Sequence, residues 1–385
     1  MKTRFLTVLM LLCLVCACAH AEPRAYTYGG SGDDALGEVA VSGDGRIVMA
    51  GYTNSSDGTL SSRTKTGRSG WALCIDAQGN VLWSFCTRLG DHDILRAPVW
   101  QADGSLTLML DSEWVVKGDQ ELELIRLDAR GEVVSRKTLL KVNVDREGYI
   151  GFERATDEGY VLRQTDSALD GQRYALYDWD GELLREMNAA LEKPSPAPHY
   201  ARGEHHLIRV AGNMRVLFAI DGRGDEIALA QEPMPVEGDL PTHFDALLSL
   251  EDGGAVGAGY VKNGQRWFDG NKGLLMRWDA QGNRVFEWWM EQESELFDIL
   301  RTPGGFAALA YDAQEGMPHG HEWSLVFFDE QGVRVKSVPL GQATEAWDKA
   351  GRIAPLGDGG YVVVQVVGGG NDDACVVIVP KEDTP

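Results

Sequence analysis

The chain has 385 residues, 44% of them hydrophobic, which suits a globular fold with a sizeable core and excludes a largely disordered chain. It carries 58 acidic against 36 basic Lys and Arg side chains, a formal net charge of −22. That balance excludes nucleic acid as a partner, because such binding is dominated by cationic contacts to phosphate.

Residues 1–21 read as a secretory signal rather than as part of the fold. Lys2 and Arg4 form a basic start, Phe5 to Ala17 is an apolar core too short to span a membrane, and Ala19-His20-Ala21 is an A-x-A cleavage signal. The folded domain is therefore expected over 22–385, secreted and monomeric. Cys16 and Cys18 leave open a lipid anchor at the cell surface through Cys18. No later apolar run approaches membrane-spanning length.

The first predicted hairpin has strands at Glu38 to Val41 and Arg46 to Thr53 around an Asp44-Gly45 tip. A second follows over Gly70 to Cys86, where an apolar run ends in Asp76 and the turn closes at Gly79. Asp bonds backbone amides ahead of it and Gly accepts the left-handed conformation, so D-x-x-G has a mechanism as a hairpin turn. The same D-x-x-G returns at Asp128, Asp178, Asp221, Asp279 and Asp329, and a truncated seventh copy ends in the strand-like Ala374 to Val379.

Tips of the first kind recur at Asp103-Gly104, Glu158-Gly159, Asp252-Gly253, Gly304-Gly305 and Asp358-Gly359; only the fourth repeat lacks a clear copy, with Gly212-Asn213 as its candidate turn. A period of roughly fifty residues built only of short strands predicts propeller blades. The expected fold is all-β, a seven-bladed β-propeller with four antiparallel strands per blade. The seventh repeat lacks an outer strand and the segment Glu22 to Tyr28 lacks a hairpin, so the N-terminal strand is expected to close the last blade.

The DGGY-type tip followed by LDxxGNVLW resembles the tandem propeller repeats of secreted and surface bacterial proteins, most closely over 29–110, 245–288 and 356–379. The A-L-x-x-D-x-x-G-x-x-x-W hairpin is also similar to the repeats of quinoprotein dehydrogenases and of the outer-membrane assembly lipoprotein propeller. Those quinoprotein folds have eight blades and their dehydrogenases an adjacent cysteine pair, neither of which is found here, so the resemblance implies a fold and no cofactor.

Cys74, Cys86 and Cys375 remain after the signal. Cys74 and Cys86 lie too far apart along one hairpin to bridge. Trp71, Trp83, Trp278, Trp288 and Trp323 fall on strands, where packing between blades explains them.

Variable loops on a rigid scaffold are where function usually sits. The long ones, Thr53 to Gly70, Met187 to His205, Gln231 to His243 and Tyr260 to Gly273, share the face opposite the D-x-x-G turns. Acidic residues gather in the blade-to-blade links of that face, and Asp34, Asp91, Asp93, Glu295 and Asp348 are the candidate ligand-binding carboxylates around the channel mouth. Trp114, Trp267 and Trp347 are candidate platforms for a sugar or peptide.

Such carboxylates could bind Ca²⁺, although no spacing matches a calcium loop. His319 and His321 flank one glycine and are weak metal candidates. Two functional classes follow. The first is a non-enzymatic binding scaffold for a protein, peptide or glycan; the alternative is an extracellular polysaccharide hydrolase or lyase using acidic loop residues.

Overall fold

A computed structural model describes residues 22–381 except 61–66, 88, 90, 115–117, 145–148, 156–157, 167–170, 190–199, 203–205, 212–213, 221–225, 234–241, 262–270, 291–293, 314–320, 344–350 and 369–371. Among the described residues are seven sheets, each of four antiparallel strands. In six of them the strand order follows the chain. In the seventh, Arg24–Tyr28 is added to the edge of Asp372–Val379, with Arg24 opposite Ile378 and Tyr28 opposite Ala374. The molecule is a seven-bladed propeller closed by its N-terminal strand, as the repeat arithmetic predicts.

Each D-x-x-G turn is built the same way. Asp76 N donates to Asn80 O, Gly79 N donates to Asp76 O, and Asp76 Oδ1 accepts from the amides of Gln78 and Asn80. The turns at Asp128, Asp178, Asp279 and Asp329 repeat these bonds.

The glycine serves a second purpose. At Gly79, φ is 81°, and a Cβ would lie 2.3 Å from the Tyr26 ring of the neighbouring blade. At Gly131, φ is 81°, and a Cβ would lie 2.6 Å from the Trp83 ring. Each turn thus docks on the outer strand of the blade before it. Arg46 Nη1 donates to Ala129 O and Arg277 Nη1 to Glu330 O, adding cross-blade ties on this same face.

Among the described residues most hydrophobic clusters lie between blades, and a small one, Val161, Tyr174 and Leu176, lies within the third. Leu36, Ile47 and Trp71 of the first blade pack with Val362, Val364 and Val376 of the seventh. Similar clusters join first to second, second to third, fourth to fifth, fifth to sixth and sixth to seventh. Trp71, Trp278 and Trp323 are buried in them, and Trp83 and Trp288 pack at their margins. Cys74 and Cys375 are buried free thiols, and Cys74 pairs across its hairpin with Trp83, not with Cys86.

The fourth blade corrects one expectation. Its first two strands are Tyr200–Arg202 and His206–Ala211, and Ala211 pairs with Met214 across residues 212–213. The tip of the first hairpin therefore falls between Arg202 and His206, and Gly212-Asn213, the expected tip, lies outside the described residues. The first strand has only three residues, too few to show an alternating pattern in the sequence.

Candidate functional site

Among the described residues the first strand of each sheet contacts the first strands of its neighbours, the third and fourth blades being the pair for which this is not seen, so these strands form the inner wall of the ring. Their N-terminal ends carry the rim carboxylates predicted for the loop face. Asp34 opens the inner strand Asp34–Val41 and is fully buried. Its Oδ2 accepts from Gly30 N at 2.7 Å and Ser55 Oγ at 2.6 Å, and its Oδ1 from Thr53 Oγ1. Asp93, on His92–Trp100, is also fully buried and accepts from Leu89 N at 3.0 Å, Thr87 Oγ1 at 2.6 Å and Ser112 Oγ at 2.5 Å.

In both blades the carboxylate takes the amide four residues before it and the hydroxyl nineteen residues after it. These two side chains knit the incoming link to the second strand, and internal donors occupy their oxygens. Burial of a carboxylate on this scale requires such donors.

Glu295 belongs to the same rim. It is buried on Ser294–Thr302 and accepts from Asn271 Nδ2 at 2.6 Å, tying the sixth blade to a loop of the fifth. Asp91 is exposed, and its amide donates to Glu113 O. Asp348, Trp267, Trp347 and His319 lie outside the described residues. Trp114 ends the strand Leu106–Trp114 and His321 begins His321–Asp329, but their side chains are also outside the description. Among the described residues, no group of three or more His, Cys, Asp or Glu side chains is placed to hold a metal ion.

The sequence did not announce what happens a few residues further along five of the seven inner strands. Pairing with the second strand skips a residue between Leu36 and Glu38, between Phe152 and Arg154, between Phe244 and Ala246, and between Leu296 and Asp298; in the second blade it skips two, between Arg96 and Val99. An extra residue on one strand bends it and re-aims its side chains, a device concentrated at functional sites. Ala97, inside the widest of these bulges, has φ 47° and is the one non-glycine in the left-handed region among the described residues. The buried Tyr160 hydroxyl of the third blade donates to Ala97 O at 3.2 Å and holds that bulge in place.

At the bulges, charges from four blades come within electrostatic reach. Asp298 of the sixth blade, Glu38 of the first and Asp245 of the fifth all act on Arg352 of the seventh. Ile353 N donates to Asp298 Oδ2 at 2.9 Å, and Arg352 Nη1 donates to Gly351 O at 3.0 Å.

Burial pushes the Asp298 carboxyl up, opposed by Arg352 and by its amide donors. Burial works against the Arg352 charge, but the three carboxylates together outweigh it and raise its pKa. Asp298 and Arg352 nevertheless keep partial solvent access, as expected of groups enclosed by a channel wall.

Aromatic side chains border these charges. His243 and Tyr260 are cross-strand partners whose rings stack at 4.7 Å and 7°. Burial raises the Tyr260 hydroxyl, with Asp245 and then Glu295 adding to the effect. Burial and Glu295 push Tyr311, the cross-strand partner of Glu295, up to about 12. The site is thus an inner-strand wall of mixed charge, three carboxylates and a guanidinium, with His243 and Tyr260 stacked on the blade of Asp245, while Tyr311 is buried in the core between the sixth and seventh blades. It is suited to holding cationic and hydroxyl-bearing groups against aromatic rings.

No family model and no curated protein matches the sequence. Solved structures similar to this chain are propellers or enzymes. The periplasmic gluconolactonase of Pseudomonas aeruginosa is 15% identical, with a TM-score of 0.47 over 80% of this chain and 86% of its own. The Dos1 propeller is 10% identical, with a TM-score of 0.48 over 93% and 95%. The β-propeller domain of the Trilobed protease from Pyrococcus furiosus is 10% identical, with a TM-score of 0.46 over 91% and 93%. At these identities the likeness concerns the fold alone. All-β, four-stranded, seven-bladed propeller is the class that the sheets define.

Proposed function

We propose that this propeller is a non-enzymatic binding module, exported by residues 1–21 and free or anchored through Cys18, that holds a protein, peptide or glycan at the loop-face end of its channel. The observation that supports this most directly is that the inner strands of four blades carry charged side chains, Glu38, Asp245, Asp298 and Arg352, with His243 and Tyr260 stacked on the blade of Asp245. Convergent polar groups on rigid strands, bordered by aromatic rings, are the ordinary composition of a ligand site.

The test is a peptide and glycan array on the exported protein, followed by assays for turnover of every hit. Binding without turnover, lost in Tyr260→Ala, is the expected result. Turnover that disappears in Glu295→Gln would instead support the hydrolase or lyase alternative, which rests on Asp245 and Glu295 flanking Tyr260. Mass spectrometry of the exported chain distinguishes a start at Glu22 from a lipid on Cys18.

A further inference from the structure

Exposed apolar side chains are not scattered over this molecule. Among the described residues, each exposed large hydrophobic side chain except Tyr149 stands at, or one residue before, the start of a blade's outer strand. Leu82 in the first blade and Val335 in the sixth are the extra residues of bulges in those strands, and they are 48% and 57% exposed. An extra residue bends an edge strand and guards it against pairing, a task that a charged or small residue performs as well. Aliphatic side chains held out at these points call for an apolar cover.

Charge divides the rim. The outer strands of the sixth, seventh and first blades are Arg334–Ala343, Arg24–Tyr28 and Val81–Cys86; they carry Arg334, Lys336 and Arg24 and no Asp or Glu. These three blades are neighbours in the ring. The outer strands of the third, fourth and fifth blades carry Glu186, Glu226, Glu232 and Glu287. Cations on an edge strand also discourage pairing with other chains, but every blade has that need and these three have glutamates in its place. In a chain of net charge −22, an acid-free arc of rim with aliphatic and cationic side chains is suited to an anionic lipid surface.

The chain itself leads there. Arg24 is exposed and pairs with Ile378, so the segment before it leaves the ring on this arc, at the outer edge of the seventh blade. Cys18, six residues earlier, is at most about 20 Å of extended chain away. An acyl chain on Cys18 therefore holds this arc, rather than the opposite rim, next to the bilayer. A second copy is a poorer cover, because two such arcs bring like charges together.

We infer that the outer rim of the sixth, seventh and first blades lies on an anionic lipid bilayer, with Leu82 and Val335 at the acyl boundary and Arg24, Arg334 and Lys336 among the phosphates. A single acyl chain binds a membrane only marginally, and a basic, apolar surface beside it supplies the second signal that stable anchoring needs. The loop-face end of the channel then stays clear of the bilayer for its ligand. This rests on the anchored form of the reading above and not on what the channel holds.

The test is hydrogen exchange of the exported full chain, acylated at Cys18, on vesicles of phosphatidylcholine alone and of phosphatidylcholine with phosphatidylglycerol in equal part. Amides of 24–28, 81–86 and 334–338 should exchange at least about threefold more slowly on the vesicles with phosphatidylglycerol, and those of 183–189 and 226–233 at unchanged rates. Leu82→Asp combined with Val335→Asp should abolish the slowing, and an unchanged thermal midpoint shows that the fold is intact.

Slowing that is absent, equal all round the rim, or the same on both kinds of vesicle overturns the inference, as does an exported chain with no lipid on Cys18. Slowing that needs no vesicles and grows with protein concentration overturns it in favour of a second copy. The contrast between strands is read in the unaltered protein, so a folding defect in the double variant leaves the test decisive. An array without hits defeats the binding module and leaves the rim's assignment standing.

Discussion

Two sets of carboxylates stand on the inner strands, Asp34 and Glu38 four residues apart on the same one, and behave differently. Asp34 and Asp93, at the rim, are fully buried and accept three hydrogen bonds each from their own link and their own second strand. Glu38 and Asp298, at the bulges, are partly accessible, and Asp298 accepts from Ile353 N of the next blade. The rim carboxylates are part of what makes each blade a blade. Those in the channel are held by the fold without being needed for it, which is the condition under which a charge can be committed to a ligand.

The largest expected effect is at the rim. Asp93→Ala strands three donors in a buried place and should cost about 3 kcal/mol in denaturant unfolding. A loss under about 1 kcal/mol would break the distinction. Asp34→Ala should behave alike, because its donor set is the same in kind.

Asp298→Asn should be neutral or stabilising at pH 7, since the amide still accepts from Ile353 N while the buried charge is removed. The sign follows from the raised pKa. A carboxyl whose folded pKa exceeds its unfolded value binds protons more readily when folded, so the native protein loses stability as pH rises through the carboxylate range. The advantage of Asp298→Asn should therefore shrink on acidification and vanish where Asp298 is protonated in both states. Thermal melts between neutral and acid pH check this, and an advantage that grows with acid would contradict it. The smallest effect is Glu38→Gln, expected within about 0.5 kcal/mol of the parent.

The difference between the two sets also marks what the sequence makes legible. D-x-x-G is visible because one residue type satisfies the turn each time, and from its spacing come the blades, their number and the closing strand. Asp34 and Asp93 could be placed at the rim from the same spacing, but their role lies in Thr53 and Ser112, nineteen residues on. That Asp to Ser/Thr interval was a readable signal and would have assigned both to structure.

The bulges left no such mark. The residues skipped by pairing are Gly37, Ala97 with Pro98, Glu153, Asp245 and Phe297, which share neither size nor charge. A bulge is an offset between two strands, fixed by how both fit their neighbours, and a single strand does not encode it. Arg352 was missed for the same reason: its significance comes from blades one, five and six, which are remote in sequence.

The closing strand has a consequence for the order of events during synthesis. Arg24 to Tyr28 is made before the first six blades, yet its partner, Asp372–Val379, is made after them. Until then Tyr26 and Tyr28 have no sheet to join, although the first blade's turn, with Gly79 beneath Tyr26, is already waiting for them. Closing a loop of that length is entropically unfavourable and makes a late, slow step. Six blades can therefore assemble outward along the chain as it emerges, but the ring has no finished channel until its two ends find each other.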